Sequence, residues 1–204
     1  KYGVFFVVDA ISTICADIFM MDEWHVDVSL LSSQKALALP PGLSFLALNK
    51  KAKLRLETKT CQSYYFDIKA YLANQERGQM PFTPVIGHFM MLHERLREIR
   101  SHGIGFFVSH HSKLAEYFRK GLKDLPLSFL SNSPSNALTA ISCPKDIDAF
   151  DLVTRLADDY NCFVAPNGGN LKYRVFRVSH LGEQNETDID FLISALKIRL
   201  NNYQ

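Results

Sequence analysis

The chain opens on Val4-Phe5-Phe6-Val7-Val8, an unbroken run of β-branched and aromatic residues that stops at Asp9. A strand with one wet face alternates apolar and polar residues, whereas a continuous apolar run suits a strand buried on both faces of a parallel sheet. The run therefore points to an α/β fold, and Asp9 to the carboxyl end of an inner strand. No Met, capping residue or polar leader precedes it. This predicts that part of the same fold lies upstream.

Two further apolar stretches follow, Val26 to Leu31 and Leu43 to Leu48, the second after the Pro40-Pro41-Gly42 turn. Three short strands separated by turn chemistry fit one α/β sheet. Asn49-Lys50-Lys51-Ala52-Lys53 reads as the polar start of a helix. Thr83 as N-cap with Pro84 at the first helical position predicts a long helix to about Arg100, with Val85, Phe89, Leu92, Leu96 and Ile99 at helical spacing. A second helix is expected from about His111 to Leu122. Beyond it the pattern predicts strands over 127–130, 137–142, 161–165 and 173–180, and helices over 145–160 and 187–200. The division expected is 1–105, the later part of a larger domain with its connecting helix, and 106–204, a small α+β domain.

Composition excludes classes rather than choosing a task. A net charge of +2 with no clustered basic surface argues against an electrostatic nucleic-acid binder. No apolar stretch approaches the roughly 18 residues of a membrane span, so no membrane partner is expected. The four cysteines, Cys15, Cys61, Cys143 and Cys162, form no C-x-x-C pair and have no histidine at zinc-site spacing. They read as reduced, buried thiols of an intracellular, cytoplasmic protein.

Several polar residues stand out without deciding anything singly. Asp9, at a strand's carboxyl end, suits either a ligand site or the cap of the next segment. Lys35, after Ser32-Ser33-Gln34, has the ordinary reading of a surface lysine. Arg177 lies in the strand Tyr173 to Val178, where alternation puts it on the face of Tyr173 and Val175; facing inward, it would need an anionic partner. Among the seven histidines only His180, just beyond Arg177, is placed near a site. Asn167-Gly168-Gly169-Asn170 reads as a loop tip rather than a phosphate loop, and Trp24 as a packing residue.

Together, the segments Val8 to Ser12 (VDAIS), Ser32 to Phe45 (SSQKALALPPGLSF), Gln79 to Val85 (QMPFTPV) and Phe176 to Gly182 (FRVSHLG) resemble, in order and spacing, the class V, fold-type I pyridoxal-phosphate (PLP) aminotransferases of the alanine:glyoxylate and serine:pyruvate type. The interval of 26 residues from Asp9 to Lys35 matches that family's interval from aspartate to lysine. The resemblance covers essentially the whole chain and implies the C-terminal half of such an enzyme. Its fold would be the later part of the large domain, a mixed and mostly parallel sheet, followed by the small α+β domain.

The resemblance also implies roles. Asp9 would pair with the pyridinium nitrogen of PLP, and Lys35 would be the Schiff-base lysine and proton carrier. Ile11 would pack on the ring, and Gln34 would bond near the phosphate or ring hydroxyl. Thr83 would donate to a phosphate, usually across a homodimer, and Arg177 would bind the substrate carboxylate. The substrates implied are a small amino acid and a 2-oxo acid. In the family the phosphate loop and stacking aromatic come from sequence before the opening strand. The resemblance leaves open other class V activities, such as aminoethylphosphonate transamination or a lyase, and a non-catalytic fragment that supplies dimerisation surface.

Overall fold

A computed structural model of the chain describes residues 3–201. It divides into two compact units, Lys1–Ile14 with Phe19–Ser101, and Cys15–Ile18 with His102–Gln204. The second unit thus takes four residues from near the start of the chain, which no local pattern announces.

The first unit is built on a three-stranded sheet in the order β1 (Val7–Asp9), β2 (Val28–Ser32), β3 (Ser44–Leu48). β1 and β2 run parallel with Asp9 opposite Leu30, and β2 and β3 run antiparallel with Ser32 opposite Ser44. One pairing of each kind is therefore present. α1 (Lys50–Glu57) begins where the lysine-rich run predicts: Asn49 caps it by accepting the Ala52 amide at 2.8 Å. α2 (Ile68–Gln75), capped by Asp67, was not legible from periodicity, and it buries none of its residues.

The opening run departs from expectation. It is not buried on both faces: Val4, Phe6 and Val7 are 73%, 51% and 53% exposed. Among the described residues, β1 lies at the edge of this sheet, paired with β2 alone. Trp24 is likewise half exposed and meets Phe19 edge-on.

α3 spans Ile86–His102 and starts two residues after Pro84, because its first carbonyl acceptor is that of Val85, which takes the amides of His88 and Phe89. Gly103, with φ of 79°, ends it, and α4 (Ile104–Gly121) begins at once, seven residues before His111. Phe106 to Val108 thus belong to the helix, which is longer at its start than the expected span from His111.

The second unit holds a four-stranded antiparallel sheet in the order β4 (Ser128–Phe129), β5 (Leu138–Ser142), β7 (Val175–Ser179), β6 (Ala165–Pro166). α5 (Ala149–Tyr160) and α6 (Glu186–Asn201) pack with α4 and the sheet around Phe118, Ile141, Leu152, Leu156, Phe176 and Leu196, all fully buried. The expected strand over 161–165 shrinks to Ala165–Pro166. Asn161 adopts the left-handed conformation that ends α5, and residues 162–164 stay outside the ladder. Gly168 and Gly169 lie in an exposed loop with a single 3-10 turn, as read. All four cysteines are free; Cys15 and Cys143 are buried, but Cys61 is exposed, against expectation.

Candidate functional site

β1 ends by handing its last hydrogen bond to β2: the Ala10 amide donates to the Leu30 carbonyl at 2.9 Å. The chain then turns, with the Thr13 and Ile14 amides both donating to the Ala10 carbonyl. Asp9 organises this turn, since its Oδ1 accepts the Ile11 amide at 3.0 Å. No helix follows for Asp9 to cap; it closes a turn instead, which holds the carboxylate, exposed, at the carboxyl end of β1. Ile11 is half-buried in the same turn.

Lys35 lies in the loop that follows β2. The loop is tied at its neck by Ser33, whose amide donates to the Leu43 carbonyl at 3.0 Å and whose carbonyl accepts the Leu39 amide at 3.1 Å. Its hydroxyl donates to the Pro40 carbonyl at 2.7 Å and accepts the Leu43 amide at 3.2 Å. Within the loop the Ala38 amide closes a turn onto the Lys35 carbonyl at 2.9 Å, with Ala38 at φ 54°. Ala36 and Leu37 are buried, Lys35 is half-buried and Gln34 exposed. The tip is held as well: His88 of α3 donates from Nε2 to the Pro41 carbonyl at 3.1 Å. Gly42, at φ 152°, permits this approach, for a Cβ there would lie 2.8 Å from the same nitrogen.

The parallel register therefore sends Asp9, Ile11, Gln34 and Lys35 out from the same ends of two adjacent strands. Thr83 is exposed and precedes α3 by three residues, so it stands outside the helix it was expected to cap.

Asp27 was missed. It accepts the Phe6 amide at 2.9 Å and Lys51 Nζ at 2.8 Å on Oδ2, and Asn49 Nδ2 at 2.8 Å on Oδ1. The Lys51 ammonium, the Phe6 amide and the Asn49 amide together hold its carboxyl at about 2, below the ordinary 3.8. An acid inside the apolar stretch Val26 to Leu31 was the available signal, because such a group must be paired.

Arg177 belongs to the second unit and is exposed on β7, where its guanidinium donates to the Pro166 carbonyl at 3.1 Å. This corrects the inward-facing reading: satisfied at the surface, Arg177 needs no buried carboxylate. Its cross-strand neighbours are Ala140 on β5 and Ala165 on β6, which leave its long side chain unobstructed. Three residues on, His180 is fully buried, with Nε2 2.8 Å from the Thr139 hydroxyl. Burial, reinforced by the charges of Arg119 and His111, pushes its pKa down to about 4. Among the described residues no cluster of three or more His, Cys, Asp or Glu could hold a metal ion, and no helix is long and apolar enough to cross a membrane.

Comparison with known proteins identifies relatives of the whole chain. The serine–glyoxylate aminotransferase of Arabidopsis thaliana is 33% identical over 99% of this chain and 51% of its own length. A protein named soluble hydrogenase, small subunit, from Synechococcus sp. is 30% identical over 94% of this chain and 50% of its own length. The crystal structure of an alanine–glyoxylate aminotransferase from Nostoc sp. superposes with a TM-score of 0.90 at 27% identity, covering 96% of this chain and 54% of that one. The chain thus spans about half the length of the curated relatives it matches. The family model for Aminotransferase class-V matches residues 1–169, and with the α/β fold and these relatives it establishes that the chain belongs to the class V aminotransferases.

Proposed function

We propose that the protein is a PLP-dependent transaminase that moves an amino group between a small amino acid of the alanine or serine type and a 2-oxo acid of the glyoxylate or pyruvate type. The observation that carries this reading is the parallel register of β1 and β2. It puts a carboxylate and an amine-bearing loop at the carboxyl ends of adjacent strands, where open α/β sheets bind ligands.

The donor set suits PLP. A lysine amine can hold an aldehyde carbon covalently, and a carboxylate can keep a ring nitrogen protonated. Bound there, PLP supplies an electron sink for charge developing at the amino acid's α-carbon. Lys35 would be the residue that holds the cofactor, and its amine would be the group that carries a proton at the substrate's α-carbon. Asp9 would keep the ring nitrogen protonated, Ile11 would pack on the ring, Gln34 would bond near the phosphate or ring hydroxyl, and Thr83 would donate to a phosphate across a homodimer. Arg177 takes the substrate carboxylate with its planar, two-pronged guanidinium. In this reading residues 1–105 are the later part of the cofactor-binding domain and 106–204 the small domain. A homodimer is supported by the apolar side chains that α3 exposes, including Ile86, Met90 and Leu96. A cytoplasmic setting is supported by the four free thiols.

Borohydride reduction of the complete, PLP-loaded enzyme, followed by peptide mapping, tests the assignment. Label is expected on Lys35; label on another lysine with Lys35 clean would sink it.

A further inference from the structure

We propose that Ser33 is a positioning residue for Lys35, its hydroxyl standing in for a backbone acceptor so that the chain can leave the β2–β3 ladder and form the Lys35 loop. The inference rests on the reading of Lys35 as the cofactor lysine.

The antiparallel register of β2 and β3 pairs Ser29 with Ala47 and Leu31 with Phe45, so Ser33 and Leu43 are next in the same series. In such a ladder the two residues of a hydrogen-bonded pair exchange both N–H to carbonyl bonds. Here only one is made between backbones, from the Ser33 amide to the Leu43 carbonyl. The reciprocal bond is diverted: the Leu43 amide donates to Ser33 Oγ instead. The Ser33 carbonyl is thereby released to accept the Leu39 amide, which closes the loop carrying Lys35. The same hydroxyl spends its one proton on the Pro40 carbonyl, so a single group serves both ends of the loop. Ser33 is fully buried, and removal of its hydroxyl would leave a partly buried amide and carbonyl unpaired. Lys35 is two residues away, and its own carbonyl is tied to Ala38 inside the loop. Its backbone position is therefore set by the neck that Ser33 ties. An amine that must meet one cofactor atom, and later one substrate proton, depends on placement to within a fraction of an ångström.

The test uses the PLP-loaded enzyme, with Ser33→Ala removing both side-chain bonds and Ser33→Cys retaining a weak donor and acceptor of nearly the same shape. Amide exchange at Leu39 and Leu43 is expected to rise roughly tenfold in Ser33→Ala and less in Ser33→Cys, on the scale of one lost hydrogen bond. Turnover should fall on the order of tenfold to a hundredfold with KM for the amino acid little changed, and Ser33→Cys should recover part of it. A destabilised but correctly aimed Lys35 would lose heat resistance without that kcat-specific loss. Unchanged kcat in a folded Ser33→Ala variant overturns the proposal. So does a failure of both variants to fold, since the role then belongs to the whole unit rather than to the loop. Borohydride mapping of the parent separates the two readings: an unlabelled Lys35 there removes the functional assignment, whereas a labelled parent with an unaltered Ser33→Ala variant removes only the positioning role.

Discussion

Asp9 and Asp27 lie in the same small unit, yet their carboxylates meet opposite demands. Asp9 is exposed, with one oxygen engaged by the Ile11 amide, an acceptor role that the Asn side-chain oxygen can also fill. Asp9→Asn is accordingly expected to keep the fold and much of the PLP occupancy while losing the charge opposite the ring nitrogen. Turnover should fall on the order of a hundredfold, about 3 kcal/mol of transition-state stabilisation; near-normal turnover with full occupancy would rule out the role. Asp27 is structural. Its folded pKa of about 2 lies below the ordinary 3.8, so its contribution is fully present above pH 3.8 and is lost as pH falls toward 2. Asp27→Asn should remove that dependence of melting temperature while lowering the melting temperature near neutrality. His180 acts in a separate window. Buried and held neutral with a pKa of about 4 against an ordinary 6.5, it leaves the unfolded chain binding the extra proton between those values. Stability from this source is present above pH 6.5 and lost as pH falls to about 4, to an extent of roughly 3 kcal/mol. His180→Gln should flatten the melting profile between pH 6.5 and 4 and leave the more acidic step to Asp27; an unchanged profile would assign the slope elsewhere.

Elements were legible where their signals are local. Asn49 before α1 is a side chain that meets an amide three residues on, so the chain itself carries the instruction, whereas α5 begins at Ala149, capped by Asp148, inside the helix expected from residue 145. Asp148 accepts the Phe150 amide at 2.8 Å and the Asp151 amide at 3.2 Å. Asp148→Ala should cost about 1 kcal/mol, read as a lower denaturant midpoint at unchanged slope; no shift would show that the neighbouring Asp151 suffices. The long helix was legible, and each of its ends lies about two residues later than expected. Thr83-Pro84 has the chemistry of a helix start, but the Val85 carbonyl takes the first bonds, and Gly103 in the left-handed region ends the helix just past Arg100. α2 gave no signal because it buries nothing, and amphipathic patterning records only what is covered.

At the scale of the whole molecule, order along the chain and the chemistry of its motifs were readable from the residues: α/β elements, the Asp9 to Lys35 interval and the Pro-Pro-Gly turn after the lysine together named the family that the family model and relatives establish. Those features depend on spacing and residue type, which a linear string contains in full. Burial was not readable in the same way. The run Val4 to Val8 looks like a central strand, but its exposure depends on which layers lie against it, and Arg177 faces outward beside two alanines that come from β5 and β6. Nor could the string disclose that Ser33 replaces a backbone acceptor, that His88 reaches the Pro41 carbonyl across 47 residues, or that Asp27 gathers Phe6, Asn49 and Lys51. The sequence by itself determined which residues could act and in what order they come. Only the tertiary structure decided which of them are buried, paired and held, because strand register and side-chain hydrogen bonds join positions that have no relation along the chain until it folds.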